Sequence, residues 1–321
     1  EVTLHTGQHF DHGMSDVFFE ELGLPRPTYR LDINSGNHGE MTGRMLAAIE
    51  EVLLVTALDA VLVYGDTNST LAGALAAAKL CRPVIHVEAG LRSFNRAMPE
   101  EINRVVADHL SDLLLCPTAV SIGNLKREGI TENVIHVGDV MYDSTLLASP
   151  IAKTHSRILT ALGLEPGDYA LATVHRADNT ASAEALERVL SHIADTAGDT
   201  PVILATHPRT RKAAEKFGVT LDRGPIRAIE PLGFLDMCRL MSDASKVFTD
   251  SGGMQKEAYF HRVPCVTLRS ETEWVETVES GWNRLWSEPD YVVPRRAITD
   301  YGTGHAAEAC IDAVEAWLKA R

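Results

Sequence analysis

The sequence has no apolar run near the length of about 18 residues that a membrane-spanning helix needs, which excludes such a span. It is also short of basic residues: 30 Lys and Arg stand against 44 Asp and Glu, for a net charge of −14. We therefore expect no nucleic-acid partner, because duplex binders usually carry a basic stripe. An anionic ligand would have to be held by helix N-termini and a few placed cations.

Cysteine is scarce, and no two cysteines have metal-ligand or redox spacing. The five are Cys81, Cys116, Cys238, Cys265 and Cys310. No secretory signal is visible, so we expect buried free thiols in a cytoplasmic protein. No spacing of His, Cys or Asp indicates a metal site. The P-loop lysine motif, the Gly-x-Gly-x-x-Gly fingerprint and the Gly-x-Ser-x-Gly elbow are also absent from the sequence.

The 321 residues are enough for about two domains, and short apolar runs alternate with helical stretches throughout. This rhythm predicts an α/β fold with two doubly wound, Rossmann-like domains facing a cleft. We place the domains at residues 1–148 and 149–300, with a linker near 146–155 and a further helix in 301–321. Residues 1–5 have the pattern of an interior strand, so we expect a strand before them that this sequence lacks.

Three carboxylates are expected at one edge of the first sheet. Asp66 and Glu88 each follow an apolar strand directly, and Glu100 follows Pro99 at the start of a helix. Crowded carboxylates raise one another's pKa, and this arrangement suits general acid–base chemistry or the stabilisation of a cationic transition state. Singly, Asp66 also fits a helix N-cap, and Glu100 fits a first-turn acid that balances the helix dipole.

A phosphate site is predicted where a strand ends at Asp250 and two glycines precede a helix. Ser251, Gly252 and Gly253 would offer backbone N–H groups and a hydroxyl to a diphosphate. Glu257 would accept hydrogen bonds from sugar hydroxyls. A tight turn in which Ser251 is a plain N-cap explains the motif about equally well.

Other strand ends carry cations and imidazoles. His175 and Arg176 are candidates for contacts to a phosphate or leaving group. Arg269 and Thr272 are candidates to close over a sugar or diphosphate, or else they cap the next helix; His207 is a second histidine at a strand end. Taken together, these residues predict a two-domain cleft that binds a diphosphate-bearing sugar nucleotide.

Several short motifs, in order along the chain, resemble those of the non-hydrolysing UDP-N-acetylglucosamine 2-epimerases. The motifs are Thr6–His9, Gly65–Thr67, His86–Arg92, Pro99–Arg104, His175–Arg176, Thr249–Gly253 and Glu257. The resemblance covers essentially the whole chain. It implies a fold like that of the two-domain GT-B glycosyltransferases, with the C-terminal helix returning to the first domain.

The resemblance also implies an activity: reversible conversion of UDP-N-acetylglucosamine to UDP-N-acetylmannosamine, by anti elimination of UDP to 2-acetamidoglucal and re-addition. It implies a UDP-sugar substrate, no cofactor, no metal and a homodimer. The implied catalytic residues are Asp66, Glu88, Glu100 and His175. The residues assigned to UDP and sugar binding are Arg92, Arg104, His175, Arg176, Phe234, Ser251, Gly252, Gly253, Glu257, Arg269 and Thr272. A candidate allosteric site comprises Gln8, His9 and His207.

Alternatives remain open on the sequence alone. Residues 92–96 and 273–276 resemble the branch that includes epimerases of UDP-diacetamido-uronic acids, so the sugar is less defined than the reaction. A GT-B glycosyltransferase, a hydrolysing epimerase and a non-catalytic sugar-nucleotide sensor are the other hypotheses. The family's Gly-Thr-Arg-Pro-Glu turn, whose Arg and a following Lys line the site, does not occur in this sequence.

Overall fold

The computed structural model describes residues 1–8, 19, 21 and 23–321. The chain forms two compact units, the first comprising residues 1–143 with 299–321 and the second residues 144–298. Both are built on parallel sheets with intervening helices, so the predicted α/β class is confirmed. No helix in this described part is both long and apolar enough to cross a lipid bilayer.

The first unit has a four-stranded parallel sheet in the order β3-β4-β5-β6 and a separate parallel pair, β1 with β2. In chain order its elements are β1 (Leu4–His5), β2 (Tyr29–Arg30), α1 (His38–Val55), β3 (Val61–Tyr64), α2 (Asn68–Lys79), β4 (Val84–Val87), α3 (Pro99–Leu110), β5 (Leu113–Cys116), α4 (Ala119–Arg127) and β6 (Val134–His136).

The central strands of this sheet are buried on both faces, as expected for parallel strands covered by helices. Every residue of β4 and β5 is buried. Ile85 and Leu113 belong to one apolar cluster, and Leu114 belongs to another. The helix after β3 starts with a capping box, in which Thr67 and Thr70 exchange side-chain and backbone hydrogen bonds. These contacts fix the loops at the carboxyl ends of β3 and β4.

The second unit has a six-stranded parallel sheet in the order β12-β11-β10-β7-β8-β9. The second unit begins within α5 (Val140–His155). Its further elements, in chain order, are α6 (Ile158–Leu162), β7 (Ala170–Thr173), α7 (Ala177–Thr180), α8 (Ala183–Ala197), β8 (Val202–Ala205), α9 (Pro208–Phe217), β9 (Ile226–Ile229), α10 (Phe234–Ser242), β10 (Lys246–Thr249), α11 (Gly252–Phe260), β11 (Cys265–Thr267), α12 (Val275–Glu279) and β12 (Asn283–Leu285).

The strand order of the second unit determines where a ligand site can form. Its first strand, β7, lies between its second and fourth, β8 and β10. The direction of winding therefore reverses between β7 and β10, and such a switch point leaves a crevice at the carboxyl ends of the two strands. The sheet's two faces are covered separately, because Ala170 and Ala172 belong to one core cluster and Leu171 to another.

The last helix, α13 (Ala306–Lys319), belongs to the first unit although it follows the second in the chain. Its Cys310 is buried with Ile85 and Leu113, and Trp317 packs against the same cluster. The N–H of Ala307 donates to Asp143 at 2.7 Å.

One sequence-based expectation is wrong. The stretch near residues 146–155, predicted as a linker, is the second part of α5 and contains Pro150 inside the helix. Ala148 and Ala152, one helical turn apart, are buried against Cys238. This tertiary packing offsets the backbone hydrogen bond that a proline removes, so the proline does not break the helix.

Burial differs sharply between two leucines of the first unit, and this difference predicts their contributions to stability. Leu113 in β5 is fully buried, whereas Leu54 near the end of α1 is 66% exposed. We expect Leu113→Ala to lower the free energy of unfolding by about 2–5 kcal/mol, through lost burial and a residual cavity. The matched Leu54→Ala variant should change it by less than about 0.5 kcal/mol. Urea unfolding of both variants tests this, and equal effects would contradict the assigned core.

Candidate active site

Two of the predicted acids lie in adjoining turns at the carboxyl ends of neighbouring strands. Gly65 follows β3, adopts a φ of +60° and donates its N–H to the carbonyl of Val87 at 3.1 Å. The Glu88 Oε2 atom lies 3.2 Å from the position that a Cβ at Gly65 would occupy. Glycine suits this position for two reasons: the backbone is left-handed, and a Cβ would crowd the Glu88 carboxylate. The turn brings Asp66 and Glu88 to the same edge of the sheet.

Arg104 connects the Asp66 turn to helix α3. Its buried guanidinium pairs with the Asp66 carboxylate, and its Nη1 donates to Glu101 at 2.8 Å. Asn103 donates its side-chain N–H to the Asp66 carbonyl at 2.9 Å. These contacts hold the N-terminal part of α3 near Asp66, and Glu100 lies half-buried in its first turn. Asp66 itself keeps 31% of its side chain exposed, enough for contact with a ligand.

Glu101 is a residue that the sequence did not single out from its neighbour Glu100. It is almost fully buried and accepts hydrogen bonds from the backbone N–H groups of Ser93 and Phe94, both at 2.9 Å. It thus fixes the loop after β4 to the start of α3. Adjacent acids in one helical turn point to different faces, which explains why one of the pair faces the core.

The geometry of Arg92 favours a structural role over the substrate contact that we predicted. Its guanidinium is buried, with Nη1 donating to Asp108 at 2.6 Å and Nε and Nη2 donating to Glu128, each at 2.7 Å. A further hydrogen bond goes to the Leu91 carbonyl at 2.6 Å. These partners lie 16 and 36 residues away in sequence, so a local motif could not reveal them.

Asp108 also contacts His86, which lies in the interior of β4. The His86 Nδ1 is 2.7 Å from an Asp108 carboxylate oxygen, and its Nε2 is 2.7 Å from the carbonyl oxygen of Gly65. Burial alone would lower the pKa of His86, but the hydrogen bond and the charge of Asp108 outweigh it, and the pKa is raised. Conversely, His86 and Arg92 hold the pKa of Asp108 below its usual value despite burial.

In the second unit, Asp250 ties together the two loops at the switch point. Its buried carboxylate follows β10 and accepts hydrogen bonds from the backbone N–H groups of His175 (3.0 Å) and Arg176 (2.9 Å) and from the Asn179 amide (2.9 Å). The loop after β7 is thereby fixed beside Ser251. The sequence motif included Asp250, but we assigned it no role, because its partners lie more than 70 residues away in sequence and no local pattern marks them.

The start of α11 has the features of an anion site. Ser251 is its N-cap residue, but the hydroxyl makes no capping hydrogen bond, so the plain N-cap alternative is not what the structure has. The first-turn N–H groups of a helix have no partner within the helix and attract negative charge. The Glu273 carboxylate lies so close to Gly252 that a Cβ there would displace it. Gly253 follows in the same turn.

Glu257 lines a small, mostly apolar cavity in the second unit. The other lining residues are Thr145, Phe234, Met237, Cys238, Met241 and His261. Burial and the charge of Lys153 lower the pKa of His261 to about 4, so this imidazole is neutral near pH 7. The predicted residues Phe234 and Glu257 thus share one cavity, which combines an aromatic ring with a carboxylate.

Arg269 and Thr272 lie beside α11 and bind other protein groups. Arg269 is buried and pairs with Glu273 at 2.9 Å, and the Thr272 hydroxyl donates to Gln255 at 2.6 Å. Thr272 therefore binds the helix that follows Ser251, and Arg269 holds Glu273, whose carboxylate lies beside Gly252. Direct ligand contacts by these two side chains, as we predicted, receive no support from this geometry.

The described residues assigned to allostery, Gln8 and His207, belong to different units. Gln8 accepts hydrogen bonds from the backbone and hydroxyl of Ser69 in the first turn of α2, at 3.2 and 3.0 Å. His207 belongs to the second unit, where its ring lies 5.2 Å from that of His175 and its Nδ1 accepts the N–H of Arg209. His9 lies outside the described residues. His207 is thus grouped with His175, and Gln8 is part of the fold of the first unit.

The role of Asp250 as an acceptor leads to a stability prediction. In Asp250→Asn the amide N–H₂ group would face N–H donors, so we expect the free energy of unfolding to fall by about 1–3 kcal/mol. The matched control is Asp178→Asn, because Asp178 is exposed in the same unit. Urea unfolding of both variants gives the comparison. If Asp250→Asn is as stable as its control, the carboxylate does not anchor the loop.

Comparison with known proteins agrees with this arrangement. The family model described as UDP-N-acetylglucosamine 2-epimerase matches residues 1–315. A UDP-N-acetylglucosamine 2-epimerase homolog of Methanococcus maripaludis is 53% identical over 89% of this chain and 80% of its own. The UDP-2,3-diacetamido-2,3-dideoxy-D-glucuronate 2-epimerase of Pseudomonas aeruginosa is 49% identical over 94% of this chain and 84% of its own.

A solved structure of an epimerase has the same fold as this chain. The Methanocaldococcus jannaschii UDP-GlcNAc 2-epimerase, crystallised in complex with UDP-GlcNAc and UDP, has a TM-score of 0.91 at 43% identity, covering 98% of this chain and 91% of that one. The match is high in both sequence and structure and extends over nearly the whole chain. This chain belongs to the UDP-N-acetylglucosamine 2-epimerase family.

Proposed function

We propose that this protein interconverts UDP-N-acetylglucosamine and UDP-N-acetylmannosamine by epimerisation at C2. The observation that carries the proposal is the pair of carboxylates, Asp66 and Glu88, in adjoining turns of one unit that belongs to this family. The same chain offers an anion site at Ser251, Gly252 and Gly253. The acids suit proton transfer, and the helix N-terminus suits the diphosphate of a nucleotide sugar.

The proposed reaction is an elimination followed by an addition. A carboxylate removes the C2 proton, the C1–O bond breaks, and its electron pair leaves with UDP, so that 2-acetamidoglucal forms. UDP then returns to C1, and a proton is delivered to the opposite face of C2. Positive charge develops at C1 as the bond breaks, and nearby carboxylates stabilise it. We assign these tasks jointly to Asp66, Glu88 and Glu100.

In the same proposal the second unit binds the nucleotide. Ser251, Gly252, Gly253, His175 and Arg176 contact the diphosphate, Glu257 binds the ribose hydroxyls, and Phe234 lies against the nucleoside. Backbone N–H groups and a hydroxyl keep their hold on UDP while the sugar is an alkene, so the leaving group is retained for the second step. Arg104 acts through Asp66, whose carboxylate it holds.

A second substrate has a specific observation in its favour. The relative from Pseudomonas aeruginosa that is 49% identical is named as a 2-epimerase of UDP-2,3-diacetamido-2,3-dideoxy-D-glucuronate. The chemistry at C1 and C2 would be identical, and the two substrates differ only in the groups at C3 and C5. Measuring kcat/KM for both nucleotide sugars decides between them.

We also propose that the enzyme is a cytoplasmic homodimer. The location is supported by the five free cysteines, of which four are buried. The dimer is carried over from the family resemblance, and light scattering of the purified protein tests it.

Isotope exchange tests the reaction directly. In deuterated water the wild-type enzyme should place deuterium at C2 of both epimers, because the abstracted proton exchanges before re-addition. Proton NMR follows the loss of the H2 signals. Epimerisation that retains the original C2 proton would rule out this mechanism. Release of free N-acetylmannosamine with UDP would instead identify a hydrolysing enzyme.

Two variants should separate chemistry from nucleotide binding. We expect Asp66→Asn to lower kcat by roughly 10²–10⁴-fold with little change in the Kd for UDP, since proton transfer and charge stabilisation are lost. We expect Glu257→Ala to raise the Kd for UDP by about 10- to 100-fold, the value of charged hydrogen bonds, with a smaller effect on kcat. Calorimetry with UDP and initial rates measure both. The reverse pattern would contradict the assigned roles.

A further inference from the structure

His86 has a hydrogen-bonding environment that only a charged imidazole satisfies. Its ring is fully buried in β4, with Nδ1 2.7 Å from the Asp108 carboxylate and Nε2 2.7 Å from the Gly65 carbonyl oxygen. The carbonyl oxygen can only accept a hydrogen bond, and Asp108, which is paired with Arg92 at 2.6 Å, is an ionised carboxylate that can also only accept. A neutral imidazole has one N–H, so it would leave a nitrogen lone pair facing an oxygen. Both nitrogens therefore carry protons, and His86 is an imidazolium.

The surroundings balance this buried charge. Asp108 also accepts a hydrogen bond from Arg92 at 2.6 Å, and Arg92 is in turn paired with Glu128 at 2.7 Å. Two cations and two anions thus alternate along the chain of contacts. A buried charge is tolerated when it is paired and hydrogen-bonded, whereas a neutral His86 would leave the cluster with an unbalanced negative charge.

The same cluster touches the turns of both candidate acids. Gly65 immediately precedes Asp66, and its carbonyl accepts the Nε2–H of His86. The N–H of Gly90, two residues after Glu88, donates to Asp108 at 3.1 Å. The turn containing Asp66 and the turn containing Glu88 are thereby attached to one ion pair.

We propose that His86 is a positioning residue for epimerisation: its buried imidazolium holds the Gly65 carbonyl and, through Asp108, the Gly90 amide, and so fixes Asp66 relative to Glu88. His86 does not touch the sugar. The effect on rate follows because reacting groups displaced by about 1 Å can cost about 100-fold. This inference rests on the proposed epimerase function.

Two substitutions separate positioning from a general contribution to stability. Asparagine places its amide nitrogen near the histidine Nδ1, so His86→Asn keeps the Asp108 contact and loses the Gly65 contact. Glutamine reaches the Nε2 position, so His86→Gln keeps the Gly65 contact, while Arg92 and the Gly90 N–H still bind Asp108. Both variants lose the positive charge and both place an amide in the core, which makes each the control for the other.

We expect kcat to fall about 100-fold in His86→Asn and less than about 10-fold in His86→Gln, with KM within about threefold of wild type in both. Thermal melting should show similar losses of Tm, because the buried charge is removed in both. Equal losses of kcat, or a loss that appears in KM, would overturn the proposal.

A measurement on the wild-type protein remains decisive if the variants fold poorly. With ¹⁵N-labelled histidine, both ring nitrogens of His86 should be protonated from about pH 6 to about pH 8, across the usual titration range. The chain has 13 histidines, so the ring signals of His86 are assigned in the wild type by correlating them through bonds with the backbone resonances of the same residue. A single protonated nitrogen would overturn the proposal. Failure of C2 exchange in the wild type would instead refute the proposed function, independently of this result.

Discussion

Charge that is buried at the end of a strand must be balanced by a partner, and this constraint organises the first unit. Arg104 lies between Asp66 and Glu101, and the cluster of His86, Asp108, Arg92 and Glu128 lies beneath the turns. Carboxylates collected at one edge of a sheet repel one another. Buried cations reduce that repulsion and hold the carboxylates that they contact. The same ion pairs therefore balance the buried charge and position the acids.

In the second unit a buried carboxylate is stabilised by backbone N–H groups. At the switch point between β7 and β10 the loops need a common anchor, and the Asp250 carboxylate provides it by accepting N–H groups from the other loop. The Ser251 hydroxyl at the start of α11 does not cap the helix, so it is not bound to the helix's own N–H groups. The buried Asp250 carboxylate and the N-cap residue of α11, Ser251, are thus consecutive in the chain.

The sequence was sufficient for most of the strands and for the strand ends that carry Asp66 and Glu88, because these depend on short-range patterns. An apolar run followed by Gly65 and Asp66, or by Glu88, indicates a strand end whatever the rest of the chain does. It did not indicate the protein partners of Arg92 and Arg269. Arg92 pairs with an acid 36 residues away, and Arg269 is buried beside Glu273. Such pairings depend on tertiary packing.

Pro150 shows the same limit for secondary structure. A proline with serine before it favours a linker, but Ala148 and Ala152 are buried against Cys238, and the helix continues. Burial of side chains from distant elements therefore outweighed the local preference. His86 is another residue whose role the sequence does not indicate. A single histidine in an apolar strand gives no sign that one ring nitrogen contacts Asp108 and the other contacts the Gly65 carbonyl.

The net charge of −14 bears on how the proposed site would select its ligand. The overall field repels a nucleotide diphosphate, so affinity must come from donors at short range. Backbone N–H groups act at that range and carry no proton that the reaction could titrate. In an elimination that returns its leaving group, such donors hold the diphosphate before the C1–O bond breaks and bind UDP more strongly afterwards, because the β-phosphate oxygen then carries the extra negative charge. Proton transfer would then be confined to the carboxylates of the first unit, where buried cations set their geometry.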